Sequence, residues 1–331
     1  MTIDLGRRQF ISALAGAVAW PIAARAQQPS GMKRVAVLMG TAEDSDGKGR
    51  LAAFRQGLQD LNWAESRNIR FDIRWGAGDA ARTKAFATEL VSLAPDVILA
   101  TNTPTARSLK QATETIPIVF SGLADPIADG IVASLSRPQG NITDFTSFNA
   151  EIAGKWLQLL KEISPGIERV VVIYNPDTAP YAIFLPVMEV VAPQLAVTLI
   201  RAPVSDKAGI ESAISGLASA PGIGLMIMPD VFTTLHRETI FNLATSGHFP
   251  TMCPLRYYAT AGGLMSYGSD FASLMRQAAT YVDRILRGEK PRDLPVQEPT
   301  KYELIINLKT AKAIGVRVPE ALLARADKVI E

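Results

Sequence analysis

Cysteine and histidine are scarce in this chain of 331 residues, which has one cysteine, Cys253, and two histidines, His236 and His248. A lone cysteine excludes an intramolecular disulfide, and three soft ligands give a zinc site little support, so we expect no metal and no cofactor. Two histidines also leave little capacity for general-base chemistry. Because nucleophile-elbow, metalloprotease and Walker A motifs are missing as well, we expect a protein that is not an enzyme.

Clustered positive charge is also lacking. The net charge is +2, and no block of lysine and arginine stands out. Since phosphate binding needs such clusters, we expect no nucleic-acid partner. The stretch Gly47–Ala52 formally matches a dinucleotide-binding fingerprint, but it begins well beyond the predicted strand instead of at the turn that follows it, so we interpret the match as accidental.

Long apolar runs are confined to the amino terminus. The run Phe10–Ala24 is interrupted by Pro21 and is too short to span a bilayer, which takes about 20 apolar residues. A basic head precedes it and the small-x-small end Ala24-Arg25-Ala26 follows, as in a secretory signal. Residues Arg7–Ile11 resemble the bacterial twin-arginine export signal.

We therefore expect residues 1–26 to be a signal peptide that is cleaved after Ala26, and the protein to be periplasmic. No cysteine lies at or near the predicted cleavage site, so the protein is not expected to be a lipoprotein. The general secretory route and a buried amphipathic first helix are the alternatives.

Short apolar runs alternate with amphipathic helical stripes from Lys33 onward. This alternation is typical of βαβ units and predicts parallel sheets that are covered by helices on both faces. The strands predicted in the first part of the chain are Arg34–Met39, Asn68–Trp75, Asp96–Ala100 and Pro117–Ser121.

The pattern then repeats. Glu168–Tyr174 resembles Lys33–Met39, Ala220–Leu225 resembles Ala94–Leu99, and Phe249–Cys253 resembles Ile116–Phe120, in the same order and at similar spacing. Three such matches predict two similar α/β halves. Ligands of open parallel sheets bind beyond the carboxyl ends of the strands, so six loops should surround one cleft. These loops are 40–46, 101–105, 121–126, 175–181, 229–233 and 254–258.

Several stretches resemble the substrate-binding proteins of ABC importers, in the branch that has tryptophan- and tyrosine-binding members. They are IPIVFSGLADPIADGIVASLSRPQGNIT (116–143), ERVVVIYNPD (168–177), GGLMSYGSDF (262–271) and INLKTAKAIGVRVPEALLARAD (306–327). The resemblance implies an α/β type I periplasmic binding fold, with two similar doubly wound parallel-sheet lobes, joined by hinge strands, that close on a ligand. The expected lobes are residues 32–145 with 264–298, and 146–263 with 299–331, with crossings near 141–148, 262–267 and 295–301.

The resemblance also implies a function. The protein would capture an amino acid or a related small carboxylate by lobe closure and deliver it to a permease and its ATPase in the inner membrane. An exported sensing module for a membrane receptor is the main alternative, and an exported α/β enzyme is a weaker one.

Candidate ligand residues follow from the strand-end loops. Thr103 lies at a helix start that suits a carboxylate, and Ser121 ends the neighbouring strand. Asp230 matches the family position whose aspartate faces the ligand amine, although it could instead cap the next helix. Arg256 could clamp an acid. The tyrosines Tyr174, Tyr181 and Tyr258 could form a wall, and the remaining candidates are Thr41, Asn102, Gly122, Asp125 and Asn175.

Overall fold

A computed structural model of the protein describes residues 31–179, 181–217 and 221–331, without the side chains of Asp144 and Tyr181. The predicted signal peptide lies outside these residues. Among the helices of the described part, none has the length and apolar character needed to cross a bilayer.

The first lobe contains a parallel sheet in the order β2-β1-β3-β4-β5. Apolar runs without polar interruption form its inner strands because both faces of the sheet are covered. The strands are β1 (Lys33–Met39), β2 (Ile69–Trp75), β3 (Val97–Ala100), β4 (Ile118–Leu123) and β5 (Ile142–Thr146).

Helices cover both faces of this sheet. Val35 and Val37 of β1 pack with helices α1 (Ser45–Asp60) and α10 (Phe271–Leu286), whereas Ala36 and Leu38 point to the opposite face. That face packs against α2 (Ala80–Ser92) and α3 (Thr103–Ala112). The alternation follows from the two-residue period of a strand.

The second lobe contains a larger sheet in the order β12-β11-β10-β9-β8-β6-β7. It is parallel except between β10 and β11, which pair antiparallel. Its strands are β6 (Arg169–Tyr174), β7 (Thr198–Pro203), β8 (Ile223–Ile227), β9 (Thr251–Cys253), β10 (Met265–Ser269), β11 (Tyr302–Asn307) and β12 (Lys328–Ile330).

The helices of the second lobe surround this sheet. They are α4 (Ile152–Ile163), α5 (Tyr181–Val191), α6 (Lys207–Ser215), α7 (Val231–Leu235), α8 (Arg237–Ser246), α9 (Arg256–Thr260), α11 (Leu308–Ile314) and α12 (Glu320–Leu323). Short 3₁₀ turns lie at Ala192–Leu195 in this lobe and at Pro291–Asp293 beside β5 of the first.

The prediction of two similar α/β lobes is confirmed. The sheet order β2-β1-β3-β4-β5 of the first lobe has its counterpart in β7-β6-β8-β9-β10 of the second. The three pairs of similar sequence segments form β1 and β6, β3 and β8, and β4 and β9, which occupy equivalent positions. Their carboxyl ends therefore mark equivalent edges in the two lobes.

Within residues 31–179, 181–217 and 221–331, the chain crosses between the lobes three times. It crosses between β5 and α4, again between β10 and α10, and finally between Gln297, which bridges to Phe145, and β11. The second crossing differs from the expected lobe bounds, which assigned residues 264–298 to the first lobe. Met265–Ser269 instead pairs with β9 and β11 in the second sheet, and the crossing lies at Asp270.

The prediction of a helix over Phe271–Leu286 is confirmed, with Asp270 accepting a hydrogen bond from the Ala272 amide at its start. Its apolar stripe packs against α1 in the first lobe. The two helices approach closely at Gly57, where a β-carbon would lie 2.9 Å from the Ala279 side chain. A segment from late in the sequence thus completes the core of the first lobe.

Candidate ligand cleft

The carboxyl ends of the central strands in both lobes meet around one cleft. It holds about 640 Å³ of space that protein atoms do not occupy, part of it open to solvent. All six strand-end loops contribute side chains to its lining, and the crossing segments add Ser147, Phe148 and Phe271.

The first-lobe wall is built at the ends of β1 and β3. The Thr101 hydroxyl accepts a hydrogen bond from the Gly40 amide at 2.9 Å, which ties the two strand ends together. Asn102 caps α3, because its Oδ1 accepts from the Thr105 amide at 3.0 Å. The Thr105 hydroxyl in turn accepts from the amides of Thr101 and Asn102. The amides at this helix start are therefore largely used within the protein.

Thr103 lines the cleft, but its hydroxyl already donates a hydrogen bond within the protein. Its Oγ1 donates to Asp129 Oδ2 at 3.1 Å, and Arg107 pairs with the other carboxylate oxygen at 3.1 Å. Burial raises the pKa of Asp129, which these two hydrogen bonds oppose. By contrast, Thr41 lines the same wall with a buried hydroxyl that has no partner among the described residues.

Asp230 is the acidic group of the second-lobe wall, between β8 and α7. Its Oδ2 accepts a hydrogen bond from the Thr178 hydroxyl at 2.9 Å, whereas Oδ1 is buried and has no partner among the described residues. The side chain makes no capping hydrogen bond to α7. Burial raises the pKa of Asp230 to about 6, and the Thr178 hydrogen bond and the nearby amides of α7 oppose this rise.

Aromatic rings from two elements surround a buried arginine. The guanidinium carbon of Arg50, on α1, lies 4.4 Å from the centre of the Phe271 ring and 4.9 Å from that of Tyr257. Arg50 is only 9% exposed, and its side chain forms no ion pair or hydrogen bond within the part of the chain that the structure describes. A positive charge is thus held in the cleft wall by ring contacts alone.

Gly122, in β4, allows the Phe271 ring of the crossing segment after β10 to pack closely against the strand. Its φ is +100°, and a β-carbon would lie 2.8 Å from Cε1 of Phe271. Any larger residue would push the ring out of position, so the sequence requires glycine here.

The twelve predicted ligand residues divide into three groups. Those that line the cleft are Thr41, Asn102, Thr103, Gly122 and Asp230. Those that do not are Ser121, Asp125, Tyr174, Asn175, Arg256 and Tyr258, and Tyr181 lies outside the described side chains.

The six residues that do not line the cleft have other surroundings. Ser121 is buried, and its hydroxyl has no hydrogen-bond partner among the described residues. Asp125 caps the turn that follows β4 through the Ile127 and Ala128 amides. Tyr174 is buried in the core of the second lobe, and Asn175 accepts from the Asp177 amide.

Tyr258 and Arg256 do not line the cleft, because α9 points their side chains away from it. The Tyr258 side chain is fully buried and its hydroxyl contacts Thr233 and Thr234, whereas its neighbour Tyr257 faces the cleft. Arg256 pairs with Glu303 at 3.5 Å in an adjoining cavity. Burial raises the pKa of Glu303, which Arg256 opposes.

Sequence reasoning missed Arg50, Tyr257, Phe271 and Thr178. Arg50 and Phe271 lie within helices, outside the strand-end loops on which the prediction was based. One signal was available for Arg50, because Leu51, Phe54 and Leu58 define the buried face of α1 and Arg50 adjoins that face.

One ion pair joins the two lobes at the edge of the cleft. Asp44 Oδ2, before α1, lies 3.4 Å from Arg237 Nη2 at the start of α8. The other oxygen of Asp44 accepts from the Gly47 amide and caps α1. Among the described residues, no group of three or more histidine, cysteine, aspartate or glutamate side chains is arranged to hold a metal ion.

Comparisons with known proteins agree with this architecture. The profile of the family described as ABC transporter substrate binding protein matches residues 34–330. A tyrosine-binding protein of Clostridioides difficile is 26% identical over 264 residues, which cover 80% of this chain and 76% of the relative.

Solved structures show the same fold. A conserved domain protein of Vibrio cholerae O1 biovar El Tor has a TM-score of 0.81 at 30% identity, covering 90% of this chain and 99% of that one. An ABC domain from Streptococcus pneumoniae in complex with L-Trp has a TM-score of 0.84 at 22% identity, covering 91% of this chain and 100% of that one.

Proposed function

The chain belongs to the family of ABC transporter substrate-binding proteins, and on that premise we propose that it captures an amino acid or a related small carboxylate by closing its lobes. The family is a ligand-binding component of transporters and is not an enzyme family. The observation that carries the proposal is Asp230, which lines the cleft and whose buried Oδ1 has no hydrogen-bond partner among the described residues. A ligand ammonium would satisfy it.

Two further observations support an amino-acid ligand. The relative from Clostridioides difficile is named for tyrosine, and the structure from Streptococcus pneumoniae holds L-Trp. The cleft also combines hydroxyl groups with the rings of Phe148, Tyr257 and Phe271, a lining that suits a ligand with one polar and one apolar end. The captured ligand would be delivered to an inner-membrane permease and its ATPase.

The ligand is tested with a panel of the proteinogenic amino acids and small carboxylates. At least one amino acid should raise the melting temperature, since a ligand at 100 times its Kd adds about 2.7 kcal/mol of stability. The same compound should reduce the radius of gyration in small-angle scattering, because closure brings the lobes together. A melting temperature and a scattering profile that stay unchanged across the panel would contradict the proposal.

We further propose that the protein is exported to the periplasm through the twin-arginine route, with a signal peptide that ends at Ala26. Protein recovered from the periplasm should begin at or near Gln27. Replacing both Arg7 and Arg8 with lysine should leave the precursor in the cytoplasm. Normal export of this double variant would exclude the twin-arginine route.

A further inference from the structure

Arg50 is a buried cation that forms no ion pair with an acidic side chain among the described residues. It lines the same cleft as Asp230, from the opposite lobe. Its ring contacts with Tyr257 and Phe271 stabilise a positive charge but leave the N–H donors of the guanidinium without acceptors. A buried charge without a hydrogen-bonding partner is unfavourable, so this arrangement suits a site that an anionic group completes.

We propose that Arg50 binds the carboxylate of the ligand and makes the protein selective for compounds that carry both a carboxylate and an ammonium. The inference rests on the proposed function, which it makes more specific. Arginine presents a planar fork of donors that matches a carboxylate in a bidentate manner, and this geometry gives the selectivity a structural basis.

The start of α3 is the competing site for the carboxylate, and most of its donors are already used. Asn102 and Thr105 bond each other's backbone, and the Thr103 hydroxyl donates to Asp129. A carboxylate placed there would displace hydrogen bonds that the protein makes internally and would approach the Asp129 carboxylate. Arg50 requires no such displacement.

The position of Arg50 couples anion binding to closure. Arg50 lies on α1 of the first lobe, whereas Tyr257 lies on α9 of the second. When the lobes separate, the guanidinium loses the Tyr257 ring and gains water. A carboxylate at Arg50 and an ammonium at Asp230 would therefore each hold a different lobe, so a compound with both charges bridges the cleft.

Three kinds of probe test this proposal by calorimetry: the proteinogenic L-amino acids, their carboxamides, and carboxylic acids without an ammonium, such as succinate and 3-phenylpropionate. A carboxamide keeps the ammonium and the side chain but has no negative charge. The amino acid that binds the wild type should bind at least about 30-fold more tightly than its carboxamide, as expected for truncation of a buried charge pair.

The variant Arg50→Gln should lose that discrimination. Its affinity for the amino acid should fall by about 30-fold or more, while its affinity for the carboxamide should change little. Arg50→Lys should keep a preference for the carboxylate at reduced affinity, because lysine is a point charge without the fork. The unliganded Arg50→Gln protein should melt no lower than the wild type, since it buries no unpaired charge.

Arg55 supplies a matched control on the same helix. It also contacts a ring, Phe71, at 5.2 Å, but it pairs with Glu65 outside the cleft. Arg55→Gln should leave both affinities unchanged.

The outcomes separate the two proposals. An amino acid that binds Arg50→Gln as tightly as the wild type, or a carboxamide that binds the wild type equally well, overturns the role of Arg50 alone. Binding only of acids without an ammonium, lost in Arg50→Gln, supports the role of Arg50 but contradicts both an amino-acid ligand and the required ammonium. If no probe of any kind binds, both proposals fail.

Discussion

At the scale of single residues, the charge of the Asp230 carboxylate is disfavoured by burial and would be favoured by a ligand ammonium. Burial disfavours its charge, and only one of its oxygens has a hydrogen-bond partner among the described residues. An ammonium in the cleft would favour the charge and pair the second oxygen. The ionisation of Asp230 and the binding of a cationic group are therefore linked.

The sign of this linkage follows from the raised pKa of about 6. Between pH values of about 4 and 6, the folded, unliganded protein holds a proton on Asp230 that the unfolded chain has released, so this residue's contribution to stability falls as the pH rises through that window. Above it the contribution is constant. A ligand ammonium reverses the preference, and its binding releases the proton.

We predict that amino-acid affinity is about tenfold weaker at pH 5 than at pH 7.5, since about a tenth of Asp230 is ionised one unit below its pKa. Calorimetry at both pH values measures this. Asp230→Asn should bind weakly and without this pH dependence.

Two controls isolate the effect. Asp125→Asn changes an acid outside the cleft and should keep the wild-type profile. His236→Gln, at the end of α7, should also keep the wild-type profile and serves as the control for the nearby histidine. A pH profile that survives in Asp230→Asn would show that another group is responsible.

The cleft-lining residues could be predicted from the sequence only in part, because the sequence does not show in which direction each side chain points. The sequence places Tyr257 and Tyr258 in the same strand-end loop, but only the helical turn of α9 decides that the first faces the cleft and the second the core. Arg50 could not be assigned from loop patterns, because it lies within α1 and its contact with the cleft depends on how the two lobes meet. Asp230 was singled out because it lies in the loop that follows β8 and because it matches the family position whose aspartate faces the ligand amine.

At the scale of elements, most of the fold was predictable. Short apolar runs predicted the central strands, and an apolar stripe with helical spacing predicted α10. The internal sequence similarity predicted two similar lobes. The assignment of β10 to a lobe was not predictable in the same way, since it depends on pairing with β9 and β11 across long sequence separations. Local patterns predict a strand but not its neighbours.

The crossing segments have consequences for the cleft as well as for the fold. The turn after β10 delivers Phe271 to the cleft, and the segment after β5 delivers Phe148. Both segments connect the two sheets, so they would have to change direction in the proposed closure. The crossing segments therefore line the cleft together with the strand-end loops, which were the only elements considered in the sequence-based prediction.

At the scale of the whole molecule, the ion pair between Asp44 and Arg237 favours the closed arrangement. Both side chains are partly exposed, and such pairs contribute at most about 1 kcal/mol. This is enough to change a ratio of closed to open molecules by a factor of about 5. A weak pair of this kind is compatible with the proposed closing of the lobes on a ligand and their opening to release it.

Asp44→Asn isolates this contribution, because asparagine caps a helix as well as aspartate does and should preserve the bond from the Gly47 amide. We predict that the unliganded variant has a larger radius of gyration than the wild type at low salt and binds amino acids several-fold more weakly. Raising the salt should expand the wild type toward the variant, since exposed pairs are screened. Glu89→Gln breaks the Arg74 pair within one lobe and should change neither quantity. If Asp44→Asn and the wild type scatter identically at low salt, the pair does not set the balance between open and closed lobes.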